Sequence, residues 1–118
     1  MATILSIISQ APHQTTESKD ALDFAMAAGG YGHSCDVLLI NDGVFHVLTA
    51  ATQDVFKTKD AKKRLKSLNF FDVEHVYICE QSLTQRCVNF INDIEGAEIL
   101  DTNQLSALTD QYDFVVSF

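Results

Sequence analysis

Five short apolar runs, separated by segments that carry helix and turn signals, constrain the fold of this chain more than any other feature. The runs cover residues 3–8, 35–40, 73–78, 97–100 and 112–118. Their length and their β-branched and aromatic residues are typical of buried strands. Because the runs are mostly apolar rather than alternating, we expect helices to cover both faces of a parallel sheet.

The segments between the runs predict helices. Thr15 or Thr16 can cap a helix that runs to about residue 28, where clustered glycines favour a turn. Residues 59–68 have apolar side chains on one side and basic side chains on the other, which is typical of an amphipathic helix. Residues 43–48 predict a short helix or an ordered loop.

Two pairs of residues have the spacing of a capping box, Ser82 with Gln85 and Asp101 with Gln104, and each predicts the start of a helix. Strands and helices therefore alternate from one end of the chain to the other. This order predicts a single α/β domain over residues 1–118, a small flavodoxin-like three-layer sandwich with a mostly parallel five-stranded sheet.

The charge of the chain is uneven. The net charge is −8, yet residues 57–66 carry six basic residues and one acidic residue, so they hold +5 and the remainder holds −13. The acidic remainder is a poor direct binder of nucleic-acid phosphates. The basic segment has two readings, a solvated helix face or a contact for an acidic partner or a short piece of RNA. Its basic residues are Lys57, Lys59, Lys62, Lys63, Arg64 and Lys66.

Cysteine usage and hydropathy indicate a compartment. The chain has three cysteines, an odd number without disulfide-scaffold spacing, which favours reduced thiols in a cytosol. No apolar run approaches the roughly 20 residues that span a bilayer. The apolar N-terminal segment has no preceding basic residue, so a first strand is a better interpretation than a signal peptide. We therefore expect a cytoplasmic protein without membrane contact.

Cys79 is the candidate functional thiol. In a parallel sheet, sites form beyond the carboxyl ends of the strands, where residues 9–16, 41–48 and 79–82 should meet. A helix beginning at Ser82 would favour the thiolate of Cys79, whereas the neighbouring Glu80 would oppose it. Free cysteine is also a common small core residue, so both readings stay open. Cys35 and Cys87 are interpreted as structural, with Cys87 inside a helix.

Other chemistry finds little support in the sequence. The four histidines form no i,i+4 pair and no C-x-x-C occurs, so we expect no metal site. His13 and His46 fall on the carboxyl edge, where a histidine can assist a thiol. Thr15, Thr16 and Ser18 suggest a phosphate loop for a flavin, but the loop lacks glycine, so we expect no cofactor.

Four blocks together resemble the TusC/DsrF family within the DsrE-like superfamily. They are SQAPHQT after the first strand, INDGVFHVL after the second, FFDVEHVYICEQSL around the third, and YDFVVSF at the end of the sequence. The blocks cover nearly the whole chain, and the D-G-V-F and Y-D-x-x-x-x-F patterns are fairly specific together. Gln14 departs from the pattern, where a glycine is expected.

The resemblance implies a cytoplasmic subunit of the TusBCD sulfur-relay complex. In that complex two B-like, two C-like and two D-like subunits form a heterohexamer that passes persulfide sulfur from a TusA-like donor to a TusE-like acceptor. The sulfur ends in 2-thiouridine of tRNA, which the complex meets only indirectly. The resemblance implies that the main persulfide cysteine belongs to the D-like subunit, at a position comparable to Cys79. It also implies that the C-like subunit is mainly structural. Whether this chain is an enzyme in its own right stays open.

Three alternatives remain at this point. The chain could belong to a sulfur-oxidising DsrEFH-type complex, could carry persulfide independently on Cys79, or could form a homo-oligomer when isolated. The apolar residues Val44, Phe45, Val47 and Leu48 also have two readings, since they either pack under the sheet edge or form a subunit contact.

Overall fold

The computed structural model describes residues 3–10, 23–25, 27–28, 31–47, 73–88 and 96–118. The five strands are β1 (Thr3–Ile8), β2 (Ser34–Leu39), β3 (Val76–Cys79), β4 (Ala97–Leu100) and β5 (Phe114–Ser117). They form one sheet in the order β4-β3-β2-β1-β5, and every neighbouring pair is parallel. The predicted five-stranded parallel sheet is confirmed.

The strand order reverses at β1. From β1 the sheet grows through β2, β3 and β4 to one edge, and then β5 pairs with the opposite side of β1. Flavodoxin itself has the order 2-1-3-4-5, so this sheet shares the class and differs in the order of its strands. The reversal makes β1 an inner strand, with β2 on one side and β5 on the other.

Helical segments pack on both faces of the sheet. A 3₁₀ helix spans Asn41–Val47, α1 spans Glu80–Gln85, and α2 spans Thr102–Thr109. Residues 23–25 and 27–28 are also helical. The rest of the predicted first helix, the predicted basic helix and the basic residues of 57–66 lie outside the described residues.

Each face has its own apolar core. The first face joins alternate strand residues to the helical residues above them, and its fully or nearly fully buried members include Ile8, Val37, Ile78, Val47 and Leu83. The second face joins Leu5, Leu38 and Leu100 to Leu108 of α2. Because the two clusters lie on opposite sides of the pleated sheet, the predicted three-layer arrangement is confirmed.

The start of α2 follows the capping prediction. The Asp101 side chain accepts the Gln104 N–H at 2.8 Å, and the Gln104 side chain accepts the Asp101 N–H at 2.9 Å. This reciprocal pair satisfies two backbone donors that a helix start otherwise leaves open.

Candidate functional site

The ends of β1, β2 and β3 meet at the carboxyl edge of the sheet. The Ile40 N–H, just after β2, donates to the Ile8 carbonyl at 3.1 Å, and the Gly43 N–H donates to the Ile40 carbonyl at 2.8 Å. From the third strand, the Ser82 hydroxyl accepts the Asn41 N–H at 2.9 Å. The predicted convergence of three loops is confirmed for their described residues.

Asn41 and Gly43 explain how the chain turns so sharply after β2. Asn41 has φ 51°, in the left-handed region that asparagine tolerates better than most residues. A Cβ on Gly43 would lie 2.1 Å from the Ile8 carbonyl oxygen, so only glycine lets the 3₁₀ helix approach β1 this closely. The N-D-G sequence therefore determines how closely the turn after β2 packs against the end of β1.

The apolar residues of the 3₁₀ helix pack inward. Val44 and Val47 are fully buried and belong to the first-face core, with Phe45 packed against it. Of the two readings, packing under the sheet edge is therefore right for Val44 and Val47, whereas Phe45 is only partly buried and both readings stay open for it. Leu48 lies outside the described residues.

Cys79 lies at this edge, where the sequence predicts it. It is the last residue of β3 and at the same time the N-cap residue of α1, with φ −73° and ψ 116°. Its partner in the neighbouring strand is Leu100 of β4. The residue is only 7 % exposed, and its side chain makes no capping hydrogen bond to α1. Cys79 is therefore positioned at the edge, with its thiol mostly covered.

The predicted helix start at Ser82 is wrong. The helix begins two residues earlier, at Glu80, so Ser82 is its third residue and is buried. Its hydroxyl serves the Asn41 N–H of the neighbouring loop instead of capping its own helix. The Ser82 Oγ therefore accepts a hydrogen bond from a distant part of the chain, whereas the local sequence pattern predicts that it caps its own helix.

The other two cysteines lie away from this position. Cys35 is in β2 at 1 % exposure, and its burial, together with the nearby Asp36 carboxylate, raises the pKa of its thiol to about 11. Cys87 is exposed and follows the end of α1, with φ 52°. The prediction that Cys87 lies inside a helix is wrong, because the helix ends at Gln85.

The histidines take separate positions. His46 is buried in the 3₁₀ helix, and its Nε2 lies 3.2 Å from the Gln10 carbonyl oxygen. His75 precedes β3 at the amino edge, where its ring stacks on Tyr77 with centroids 5.6 Å apart. His13 lies outside the described residues, so its approach to Cys79 stays a prediction. Among the residues with described positions, no group of three or more His, Cys, Asp or Glu could hold a metal ion.

A polar cleft of about 410 Å³ lies between α1 and the start of α2, and Cys79 is not among its lining residues. Its lining residues are Glu80, Gln81, Thr84, Gln85, Asp101 and Thr102. Arg86, the one Lys or Arg in the described ranges, pairs with Asp42 instead, with Nε 2.9 Å from Oδ1. The cleft therefore carries two carboxylates without a counter-charge from the part of the chain described here. Glu80, next to Cys79, is one of them.

A second polar cluster, which sequence reasoning missed, lies at the amino edge of the sheet. Asp36 is 6 % exposed, accepts the Tyr112 hydroxyl at 2.5 Å and accepts the His75 N–H at 3.2 Å. Burial raises the pKa of Tyr112, and its hydrogen bonds to Asp36 and Tyr77 raise it further. The signal for this cluster was an aspartate inside an otherwise apolar strand, since a buried carboxylate needs hydrogen-bond donors.

No helix among the described residues is long and apolar enough to cross a bilayer.

Comparison with known proteins identifies relatives over the whole length. The model of the DsrE/DsrF-like family matches residues 2–118. A "Protein TusC homolog" of Vibrio vulnificus is 30 % identical over 118 residues, covering 100 % of both chains. Another, from Vibrio parahaemolyticus, is 27 % identical with the same coverage.

Solved structures support the same fold. The ychN protein of E. coli superimposes with a TM-score of 0.75 at 21 % identity, covering 100 % of both chains. A conserved protein of unknown function from Bacteroides thetaiotaomicron gives a TM-score of 0.62 at 11 % identity, covering 98 % of this chain and 94 % of the other.

Proposed function

Because the chain belongs to the DsrE/DsrF-like family, we propose that it is a subunit of a cytoplasmic TusBCD-like sulfur-relay complex. The observation that carries the proposal is full-length similarity to proteins named TusC homolog, which are 27–30 % identical over the entire chain. In this role the chain assembles with TusB-like and TusD-like subunits, and the complex relays persulfide from a TusA-like donor to a TusE-like acceptor. The product of the relay is 2-thiouridine in tRNA.

Within the complex we assign the chain a mainly structural role. Cys79 is only 7 % exposed, and it is absent from the lining of the neighbouring cleft. Both features limit the access of a sulfur donor to the thiol. They support a subunit that shapes the assembly more than one that carries sulfur itself.

Co-purification tests the assembly. The tagged chain is co-expressed with a TusB-like and a TusD-like protein from the same organism, and the mass of the purified complex is measured. We expect one stable assembly of all three chains, and loss of 2-thiouridine from tRNA when the gene for this chain is deleted. A chain that stays separate from both candidates in the mixture would disprove the proposal.

A Cys79→Ser variant separates the structural role from a catalytic one. If the chain is structural, the variant restores 2-thiouridine in the deletion strain to the level of the unaltered chain. The matched control is Cys87→Ser, which changes an exposed thiol outside the edge. Assembly is measured for both variants, so that a folding defect is recognised.

The second candidate function is a persulfide carrier that uses Cys79. Its position at the end of β3, at the edge where ligands of parallel sheets bind, favours this alternative. After incubation with a persulfide donor, mass spectrometry of the chain should then show the addition of one sulfur atom on Cys79. The same addition in Cys79→Ser would exclude this cysteine as the carrier.

A sulfur-oxidising role of the DsrEFH type remains the alternative pathway for the same architecture. It predicts normal tRNA thiolation in the deletion strain and a defect in the oxidation of reduced sulfur compounds. Measuring both phenotypes in one strain distinguishes the two roles.

A further inference from the structure

The outer edge of β5 presents backbone groups that have no strand partner among the described residues. Among the residues that the structure describes, β5 ends the sheet and pairs only with β1. Just beyond it, the Phe118 N–H donates to the Ile7 carbonyl at 2.9 Å. Because backbone groups alternate in direction along a strand, Phe114 and Val116 also point toward β1, whereas Val115 and Ser117 point outward.

This edge lacks three of the features that usually prevent strands from pairing, namely charge, proline and a bulge. The sequence Phe-Val-Val-Ser contains no charge and no proline, and its register with β1 runs without a bulge. Phe114 is 59 % exposed and Val115 is 44 % exposed. The opposite edge strand, β4, carries the exposed Glu98. Of the two sheet edges, β5 is the one suited to adding a strand.

The strand is complementary to itself. A two-fold axis perpendicular to the sheet at Val115 would bring a second β5 alongside in antiparallel orientation. The two Val115 residues would then exchange both N–H···O=C bonds, since their backbone groups already point outward. Phe114 would face Val116 of the second copy, and this aromatic–valine pair would occur twice.

The ends of the strand also match under this symmetry. Asp113 would lie opposite Ser117 of the second copy, so a carboxylate that accepts would face a hydroxyl that donates. The Thr3 N–H donates to Asp113 Oδ2 at 3.0 Å, and the Asp113 N–H donates to Thr3 Oγ1 at 3.0 Å. These bonds hold the start of β5 against β1 and keep its edge extended.

We propose that two copies of this chain pair along β5, antiparallel, around a two-fold axis at Val115. The paired edge joins two five-stranded sheets into one ten-stranded sheet, an isologous contact of the kind that closes on itself. Each copy carries a net charge of −8, so the copies repel at long range. Added salt therefore tightens the dimer by screening this repulsion.

Val115→Pro is the discriminating variant. Proline removes the outward N–H of residue 115 and leaves the bonds of Phe114 and Val116 to β1, so the fold tolerates it as edge strands do. The matched control is Val115→Thr, which keeps the N–H and the branched shape. Sedimentation equilibrium of the purified chain alone should show a dimer. Loss of the two reciprocal bonds should raise its dissociation constant about 30-fold in Val115→Pro, with little change in Val115→Thr.

Hydrogen exchange gives an independent measurement on the unaltered chain. The amides of Val115 and Ser117 should become protected as the protein concentration rises. The amides of Phe114 and Val116, bonded to β1, should be protected at every concentration. A chain that remains monomeric at about millimolar concentration, where even weak association shows, would overturn the proposal. So would a dimer with the same dissociation constant in Val115→Pro, because another surface would then hold it.

Discussion

At the scale of single residues, Ser6 inside β1 and Ser9 just after it have opposite effects on the stability of the fold. Ser6 is fully buried, and its Oγ has no hydrogen-bond partner within the described residues. Ser9 lies just past the strand, and its Oγ donates to the Phe118 carbonyl at 3.0 Å. One hydroxyl carries a desolvation cost without a bond, and the other ties the end of β1 to the end of β5.

Replacing each serine by alanine should therefore change stability in opposite directions. Ser6→Ala should raise the free energy of unfolding by about 1 kcal/mol, because it removes a buried, unpaired hydroxyl. Ser9→Ala should lower it by about 1 kcal/mol, because it removes a bond. Urea unfolding of the two variants beside the unaltered chain measures both. Equal destabilisation would show that Ser6 has a partner after all.

Cys35 predicts an alkaline dependence of stability. In the unfolded chain its thiol ionises near its ordinary pKa of 9.0, whereas in the folded chain its pKa is raised to about 11. Between these values the unfolded state releases the proton and the folded state keeps it. Stability is thus fully present below pH 9 and falls as the pH rises toward 11.

Comparison with Cys35→Ala isolates the thiol between pH 9 and 10, because both chains carry the same two tyrosines with raised pKa values. Over that interval Cys35→Ala should lose about 1 kcal/mol less stability than the unaltered chain. Urea unfolding at several pH values measures the two slopes. If the free energy of unfolding fell equally steeply with pH in both chains, the prediction would be contradicted.

At the scale of elements, the 3₁₀ helix depends on a single close approach. Gly43→Ala places a methyl group 2.1 Å from the Ile8 carbonyl oxygen, a backbone atom that cannot turn aside. We expect a loss of about 3 kcal/mol, because the helix must move away from β1. Gly32→Ala is the matched control, with φ +82° and no atom within 4 Å of the added methyl. The control should lose only the 1–2 kcal/mol or so of left-handed strain. Thermal unfolding ranks the two, and equal losses would remove the steric argument.

The end of α1 depends on a strained cysteine. The Val88 N–H donates to the Leu83 carbonyl at 3.0 Å, and the Cys87 N–H donates to the Thr84 carbonyl at 3.3 Å. These two bonds form a Schellman motif, in which Cys87 occupies the left-handed position that glycine prefers. Cys87→Gly should raise the free energy of unfolding by about 1 kcal/mol, whereas Cys87→Ala, which keeps the strain, should change it little. Denaturant unfolding measures both, and equal effects of the two variants would argue against strain at this position.

The elements also show what the sequence could predict. Apolar runs gave the five strands and their parallel class, and the Asp101–Gln104 spacing gave the start of α2, because these signals are local. The start of α1 was mispredicted, since the Ser82 hydroxyl serves a loop from another strand. Position at the carboxyl edge was predictable for Cys79, but its 7 % exposure depends on packing that residue spacing does not encode.

At the scale of the whole molecule, the Asp36–Tyr112 hydrogen bond joins β2, the central strand of the sheet, to the segment that leads into β5. The two residues are 76 positions apart in sequence. Tyr112→Phe keeps the ring and leaves a buried carboxylate oxygen without this donor. We expect a loss of about 2 kcal/mol, because a buried charged group loses a hydrogen bond.

A second tyrosine provides the control for that prediction. Tyr77→Phe removes a hydroxyl that bonds to Tyr112 and not to the carboxylate, so its loss should be smaller. Equilibrium unfolding in urea compares the two variants. A larger loss for Tyr77→Phe would show that Asp36 depends on Tyr112 less than the geometry indicates.

The reversal of strand order at β1 has a consequence for synthesis of the chain. Thr3 is bonded to Asp113, 110 residues later, so one side of β1 finds its partner only after β5 has left the ribosome. At about 5–20 residues per second, that interval lasts roughly 5–20 s. During this time the apolar β1 is itself an open edge of the nascent sheet. The growing chain is therefore most exposed to mispairing and to chaperones just before its last strand arrives.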